Sequence, residues 1–423
     1  MQVYIIGIYK TQIKNHFPRN SIQMKRIFWT IVIILPFNLM AQIAIKADSL
    51  FTVTSPMLRN GVVLVKDGKI EAVGAASQIK IPTGYTIYTT RVLTPGLIDA
   101  RTTIGMSGVF NYAADQDQLE KSSPIQPELR AIDAYNPYEK LVSTAREYGI
   151  TTIHTGHGIG ALVSGQTMIA KTKPGNVEEV TIQPFSMLAM TIGSSVSGNF
   201  SSPGTKAKQV SMIRTDLMKT KEYMKKLSDK DTAKRPAFDM KMDALSRLLR
   251  GEVKGLITAN TAVDIMNAIR LSNEFQFKLV IDGAAESYRL IDQIKQAKAE
   301  VILHATMARN EGDLINMNRQ TAAILTAAGI AVSIESGYEA YVPKTRIVLL
   351  EAAVAMANGL SFDDALKSIT IHPAQLLGME KRLGSIEVGK DADLVLFDGD
   401  PFEYTTHVCG LIIDGKVLSE KCK

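Results

Sequence analysis

The stretch R-V-L-T-P-G-L-I-D-A-R-T-T-I-G, residues 91–105, decides the fold of this chain. Val92–Leu93 and Leu97–Ile98 are apolar pairs on either side of a Thr-Pro-Gly kink. Such a pattern predicts a buried strand that enters a core. Two polar residues, Arg101 and Thr103, follow at the end of this predicted strand and are candidate site residues.

Length and charge set the first bounds. The chain has 423 residues, 46% of them hydrophobic and 21% charged, which leaves room for a barrel of about 250 residues and a second small domain. The net charge is +6, but five basic residues and no acid lie in residues 1–41, so the remainder carries only +1. The basic balance therefore gives no reason to expect a nucleic-acid partner.

The first 41 residues have the parts of a leader. Met24-Lys25-Arg26 precedes an apolar run that ends at Ala41, and this order predicts a cleavable signal peptide over residues 24–41. A spanning helix needs about 20 apolar residues, and Pro36 interrupts this shorter run, so no stable membrane span is expected. An uncleaved anchor is the alternative. Residues 1–23 are interpreted as the result of a start codon assigned too far upstream. We expect a periplasmic or secreted protein whose mature chain begins near Gln42.

Two hairpins flank the middle of the chain. Asp67-Gly68 joins the apolar-rich strands 61–66 and 69–74, and Asp414-Gly415 joins 411–413 to 416–418; Asp-Gly between such runs is a strong hairpin signal. A further strand is predicted at 392–397. We therefore expect the two ends of the chain to meet in one small β domain.

Strand-like and helix-like stretches alternate between these ends, as in parallel βα units. The candidate strands are 150–153, 167–170, 255–259, 278–281, 301–303 and 330–334. Helices are expected after Thr261, which with Asp264 can cap one, and over 288–298, 345–358 and 361–369. Residues 191–205, rich in Gly and Ser, predict a loop or a lid. Residues 210–227 predict a helix carrying four lysines, for which a solvated surface is preferred over an anion-binding face.

Several segments resemble one protein family. Residues 91–105, the segment from Asp115 to Pro137, G-I-T-T-I (149–153), S-G-Q-T-M-I-A-K (164–171) and G-S-I-E-V-G-K-D-A-D-L-V-L-F-D (384–398) are similar to imidazolonepropionase-like members of the amidohydrolase superfamily. The resemblance implies an α/β fold, a (β/α)8 TIM barrel with a small composite β-sandwich domain built from both termini. The implied boundaries are 42–92 and 381–423 for the β domain and 93–380 for the barrel. The implied activity is hydrolysis of non-peptide carbon–nitrogen bonds with zinc or another divalent metal.

The metal ligands of that family are mostly missing here. Its His-x-His positions hold Arg101 and Thr103, its fifth-strand histidine falls near Asn260, its sixth-strand histidine near Gly283, and its catalytic aspartate near Ser336. An arginine stays protonated and has no lone pair for a cation, and a hydrolytic zinc site needs about three protein ligands. The metal site is therefore predicted to be lost, and no cofactor is expected. Lys171 matches a lysine that bridges two metals in related enzymes, although an ordinary lysine at the barrel rim is an equal alternative.

Other polar residues offer a rival interpretation. His154 and His157 form an H-x-x-H that could hold a metal or merely face a pocket, and His304 is expected at the end of a strand, where barrel active sites lie. The rival is an active hydrolase with a rearranged site that uses His154, His157, Lys171 and His304, with Glu335. The state of the two cysteines, Cys409 and Cys422, stays open, since two residues do not make a disulfide framework.

The preferred interpretation is an exported, amidohydrolase-like pseudoenzyme with no catalytic residues and no metal, which binds a small molecule at the barrel mouth. The expected binding residues are Arg101, Thr103, His154, His157, Lys171, Asn260, His304 and Glu335. Arg101 could hold an anionic ligand, but pairing with an internal acid, Glu335 or Asp282, is preferred because a buried unpaired charge is costly. Homo-oligomers are common in the family, so one is an open alternative here.

Overall fold

The structure, a computed structural model, describes residues 42–110, 112–304, 306, 308–337 and 347–422. The predicted leader, including the signal peptide at 24–41, lies outside these residues, as does Thr345 at the start of a predicted helix. The described strands are β1 Ile43–Leu50, β2 Leu58–Lys66, β3 Lys69–Ala75, β4 Thr86–Pro95, β5 Leu97–Thr102, β6 Ile150–Gly156, β7 Val163–Lys171, β8 Thr181–Gln183, β9 Met187–Thr191, β10 Lys254–Ala259, β11 Leu279–Gly283, β12 Glu300–Leu303, β13 Val332–Ile334, β14 Leu394–Phe397, β15 Val408–Ile413 and β16 Lys416–Ser419.

The described α-helices are α1 Lys140–Glu147, α2 Val177–Val180, α3 Ser194–Asn199, α4 Lys206–Leu227, α5 Met240–Leu249, α6 Ala262–Phe275, α7 Ile291–Ala297, α8 Thr321–Ala327, α9 Val348–Ala357, α10 Phe362–Ser368 and α11 Ile371–Leu376. The Thr261 side chain accepts from the Asp264 amide and caps α6 as expected. Residues 191–205, expected to be a loop, contain the short helix α3. No helix in the described part of the chain is long and apolar enough to cross a membrane.

Strands from both ends of the chain form one seven-stranded sheet in the order β16-β15-β14-β4-β1-β2-β3. Both hairpins are confirmed. Asp67 and Gly68 have φ of 50° and 78°, and Asp414 and Gly415 have 50° and 72°, the positive values that a tight two-residue turn between twisted strands requires. The two turns touch: a Cβ on Gly415 would lie 2.7 Å from the Cα of Gly68.

The second sheet is a nearly closed barrel of eight strands in the order β13-β12-β11-β10-β9-β7-β6-β5. Leu256, Val280, Ile302, Ile98 and Ile169, from five of its strands, belong to one buried cluster that fills the interior. Residues of α11 join this cluster, and Lys254 at the start of β10 donates to the Leu376 carbonyl at 2.7 Å. Thus α11 covers the N-terminal end of the strands and leaves their C-terminal end for the site.

One barrel strand runs against expectation. β7 is antiparallel to both β6 and β9, whereas 167–170 was expected to be one of a set of parallel strands. The short connection from β6 to β7 explains the reversal, because antiparallel strands can be joined by a tight loop and parallel strands need a long crossover. β9, which completes the barrel, was not assigned from the sequence. The predicted domain boundaries at 92/93 and 380/381 stay predictions.

Candidate functional site

Arg101 lies at the C-terminal end of β5 and is 5% exposed. Its guanidinium donates hydrogen bonds to two backbone carbonyls, from Nη1 to Thr102 at 3.3 Å and from Nη2 to His157. Thr103 does not reach toward a ligand position: its hydroxyl lies 2.8 Å from the Ser107 hydroxyl. The residues at the family's His-x-His positions are therefore held by internal hydrogen bonds.

Three carboxyl groups act on the guanidinium through their charges. Burial lowers the pKa of Arg101, and the charges of Asp282, Glu335 and Asp99 oppose that effect. Burial raises the pKa of Glu335 well above its usual range, and the charge of Asp282 raises it further. Among the described residues, Arg101 makes no ion pair within 4.0 Å, so direct pairing with Glu335 or Asp282 stays a prediction.

Asp99 and Ser336 close the gap between the first and last barrel strands. The Asp99 carboxylate accepts from the Ser336 amide at 3.1 Å and from the Ser336 hydroxyl, and β5 and β13 are otherwise the two ends of the hydrogen-bonded path. Burial raises the pKa of Asp99 to about 7, although these hydrogen bonds and Arg101 act in the opposite direction. Asp99 lies within the stretch that decides the fold, but its role at this gap was missed, because nothing in the sequence pairs it with Ser336.

His154 is fully buried and both ring nitrogens are engaged. Nδ1 lies 2.8 Å from the Ala100 carbonyl and Nε2 lies 2.7 Å from the Thr167 hydroxyl. Burial, with the nearby Arg101 charge, lowers the pKa of His154 to about 3. This histidine is a neutral part of the barrel wall, and the expectation that it binds a ligand or a metal is wrong because no lone pair is left to offer.

His157 differs from it. The residue is 5% exposed, and neither ring nitrogen has a hydrogen-bond partner in the part of the chain that the structure describes. Burial and then Arg101 lower the pKa of His157 to about 4. The absence of a side chain at Gly165 leaves room for the His157 ring, since a Cβ there would lie 2.5 Å from the ring Cδ2. A neutral imidazole offers one donor and one acceptor, and both are unused here.

Asn260 and Gly283 lie at neighbouring strand ends, near the positions of the family's fifth-strand and sixth-strand histidines. A Cβ on Gly283 would lie 2.5 Å from the Asn260 Oδ1, and this oxygen is buried without a hydrogen-bond partner among the described residues. Gly283 has φ of 78°, a left-handed conformation that a histidine adopts only at a cost. The backbone itself is therefore unfavourable for the family's sixth-strand ligand.

His304 and Glu335 follow β12 and β13, as expected for residues at the mouth, and both are buried. The His304 amide donates to the Gly283 carbonyl at 2.9 Å, so the ends of β11 and β12 are joined there. Asp282, which the sequence suggests only as a counter-ion, lies near the end of β11, and its Oδ2 accepts from the Thr258 hydroxyl. A carboxylate at the end of an apolar strand was the signal that could have placed it in the site.

Lys171 is at the other end of the barrel. It is opposite Thr152 in the antiparallel pair, whereas Gly156 at the C-terminal end of β6 is opposite Thr167. Its ammonium group lies 3.2 Å from Asp414 and 3.5 Å from Asp391, and also contacts Asp393. The expectation that Lys171 belongs to the site is wrong because β7 is antiparallel to its neighbours, so that its last residue lies at the end of the barrel opposite Arg101. The lysine is instead a buried ion-pair partner.

The residues present do not fit a divalent metal. Within the described ranges, the only three His, Cys, Asp or Glu ligand atoms that lie within 4.8 Å of one another belong to Asp398, Cys409 and Cys422, and the two cysteines form a disulfide. At the mouth, the Arg101 guanidinium would repel a divalent cation. Among the described residues there, the buried atoms without a hydrogen-bond partner include the His157 ring nitrogens, Asn260 Oδ1 and Asp282 Oδ1.

Known proteins share this fold and part of the sequence. The sequence model of the amidohydrolase family matches residues 285–418. The chain is 26% identical over 394 residues to the amidohydrolase tasK of Hapsidospora irregularis, covering 84% of this chain but 39% of that protein. It is 28% identical over 163 residues to the "Probable imidazolonepropionase" of Xenopus tropicalis, 36% of each chain. The crystal structure of an amidohydrolase from Thermotoga maritima MSB8 has a TM-score of 0.84 and 30% identity, covering 90% of this chain and 100% of that one.

Proposed function

The chain belongs to the amidohydrolase superfamily, and on this premise we propose that it is an exported member that has lost the catalytic metal site and binds a small molecule at the barrel mouth. The observation that carries the proposal is the position of Arg101, a buried cation at the end of β5 that donates to the His157 carbonyl. A hydrolytic metal in this fold needs about three protein ligands and an open position for water. A guanidinium at this position supplies no ligand and would repel the metal.

Two of the residues that the alternative, an active hydrolase with a rearranged site, would use are engaged elsewhere. His154 uses both ring nitrogens within the barrel wall, and Lys171 lies among carboxylates at the other end of the strands. His157, His304 and Glu335 remain near the mouth. Among the described residues, no group of three His, Cys, Asp or Glu ligand atoms lies together at the mouth, so these side chains support binding better than hydrolysis.

Elemental mass spectrometry of the protein purified from its native envelope tests the loss of the metal. We expect far less than one equivalent of zinc, manganese or iron per chain. We also expect no hydrolysis of a panel of lactams, imidazolones and N-acyl amino acids, with or without added metal. One tightly held equivalent together with turnover that a chelator abolishes would contradict the proposal.

Export is supported by two features. The order of basic start, apolar run and Ala41 is that of a cleavable signal, and Cys409 and Cys422 form a disulfide, a bond that persists mainly in oxidising compartments. Intact mass of the native protein should therefore give an N-terminus at or near Gln42. A cytosolic protein that retains residues 1–23 would refute export and leave the binding proposal untouched.

The ligand is proposed to use hydrogen bonds more than charge. Arg101 already faces three acids, whereas the His157 ring and the Asn260 oxygen have no partner among the described residues. The anionic ligand that Arg101 first suggested is therefore disfavoured. In a melting assay over carboxylates and phosphates, we expect no compound to raise the melting temperature of the wild type more than that of Arg101→Ala, since only a ligand that prefers the native state stabilises it. A carboxylate that shifts the wild type alone would restore the anionic alternative.

A further inference from the structure

One segment, which includes a pair of helices, carries a concentrated excess of positive charge. Residues 206–241 contain eleven Lys and Arg and five Asp and Glu, a net charge of +6, whereas the rest of residues 42–423 has a net charge of −5. These residues form α4, the connection that follows it and the start of α5. Charge separated in this way creates a field over one side of the molecule and favours association with anionic surfaces.

Part of this charge is not neutralised internally. Lys206 pairs with the buried Asp264 at 2.7 Å, and Lys241 pairs with Asp216 at 2.8 Å. Lys225 and Lys226, in the last turn of α4, make no ion pair within 4.0 Å among the residues that the structure describes, and both side chains are exposed. They present two adjacent ammonium groups to the solvent.

Two large apolar side chains lie beside the last turns of α4. Phe238 is 73% exposed and Met240 58%. The start of α5 runs along α4, because the Asp239 amide donates to the Tyr223 hydroxyl at 3.3 Å and the Thr220 hydroxyl lies 3.5 Å from the Met242 sulfur. Phe238 and Met240 thus flank the same turn of α4 that Tyr223 occupies.

We propose that this surface, the basic ridge formed by Lys225, Lys226, Phe238 and Met240, docks the protein onto an anionic lipid bilayer. The solvated surface preferred from the sequence explains the lysines but not the exposed phenylalanine and methionine side chains near them. Lysines near apolar side chains match a bilayer surface, where the ammonium groups meet anionic headgroups and the apolar groups enter the acyl boundary. A nucleic acid would satisfy the lysines but has no place for Phe238 and Met240. The proposal does not depend on what the barrel binds.

Cosedimentation of the purified protein with vesicles tests the proposal. Binding is expected to vesicles of phosphatidylglycerol and phosphatidylcholine and not to phosphatidylcholine alone. Binding should weaken when NaCl rises from about 0.1 M to about 1 M, which shortens the Debye length from about 10 to about 3 Å. Lys225→Glu with Lys226→Glu should lower the affinity at least about tenfold, since each lysine near an anionic surface contributes markedly.

The matched control is Lys66→Glu with Lys80→Glu, the same charge reversal at two exposed lysines, one in β2 and one in the connection from β3 to β4, which should keep binding to within about twofold. Phe238→Ser with Met240→Ser should weaken binding without changing its salt dependence. Unchanged melting temperatures show that each variant is folded. Equal losses in ridge and control variants, no binding to anionic vesicles, or binding only to a single-stranded oligonucleotide would overturn the proposal.

Discussion

At the scale of single residues, the mouth of the barrel is a layer of buried charged side chains. Arg101 brings the cation, Asp282 and Glu335 act on it through their charges, and Asp99 accepts hydrogen bonds from Ser336. The sequence predicted that Arg101 meets Glu335 or Asp282, because all three end strands that converge. It did not predict Asp99, since the contact depends on how the first and last strands approach.

The pH dependence of stability is the first prediction at this scale. The pKa of Asp99 is raised to about 7 in the folded protein, so its contribution is complete below the unfolded value, near 4, and is lost as the pH rises through about 7. Between about pH 5 and 8, the unfolding free energy of the wild type should fall relative to Asp99→Asn, by at most about 1.4 kcal/mol per pH unit. Urea unfolding at several pH values measures it.

His154 and His157 act in the opposite sense. Their folded pKa values, about 3 and about 4, lie below the usual value, so the unfolded chain binds more protons and stability rises with pH up to about 6.5. Both proteins contain them, and the difference between wild type and variant removes their effect. The exposed Asp48→Asn is the control and should follow the wild type. If Asp99→Asn also follows the wild type, Asp99 is ionised throughout.

At the scale of secondary-structure elements, the β6–β7 hairpin determines which residues reach the mouth. The hairpins at Asp67-Gly68 and Asp414-Gly415 were predictable because their turn chemistry is local. The direction of β7 was not, because an apolar run does not encode whether its neighbour is parallel. That one reversal moved Lys171 to the far end, while it brought Gly165 beside His157.

Gly165 yields the second prediction. It has φ of 136°, and a Cβ would lie 2.5 Å from the His157 ring and 2.8 Å from the Leu129 carbonyl. Gly251 is the matched control, with φ of 72° and no atom within 4 Å of a Cβ. Gly251→Ala should cost about 1–2 kcal/mol for the backbone conformation, and Gly165→Ala about 2 kcal/mol more for the contacts. Adding His157→Ala should recover part of that excess, and equal costs at the two glycines would show that the hairpin yields freely.

At the scale of the whole molecule, a buried ion cluster joins the barrel to the seven-stranded sheet. Lys171 is on a barrel strand, whereas Asp391, Asp393 and Asp414 come from the C-terminal part of the chain. Burial alone would lower the pKa of Lys171, but the three carboxylates outweigh burial and raise it. The ammonium group is therefore charged at neutral pH, and its contribution to stability is lost only as the pH rises through that raised value.

The third prediction compares two lysines that lie two residues apart. Lys171→Met should lower the unfolding free energy by about 3–5 kcal/mol, because it leaves buried carboxylates without their cation. Lys173→Met, which removes a 30% exposed partner of Asp414 at 2.8 Å, should cost at most about 1 kcal/mol. Chemical unfolding of both variants measures the contrast. Similar costs would mean that the cluster is solvated and does not join the two sheets.

The contact between the two hairpin turns has a consequence for the order of events during synthesis. The Ala392 amide donates to the Gly68 carbonyl, and the Ala392 carbonyl accepts from the Gly415 amide. The first hairpin can therefore make these contacts only after almost the last residues have left the ribosome. Lys171 can form its ion pairs only at the same stage, because its three carboxylate partners lie after position 390. Until then the nascent chain contains a buried-site lysine without partners and a sheet that lacks three strands. Late completion of this kind leaves part of the fold unformed while the chain is being made, as the export proposed above would require.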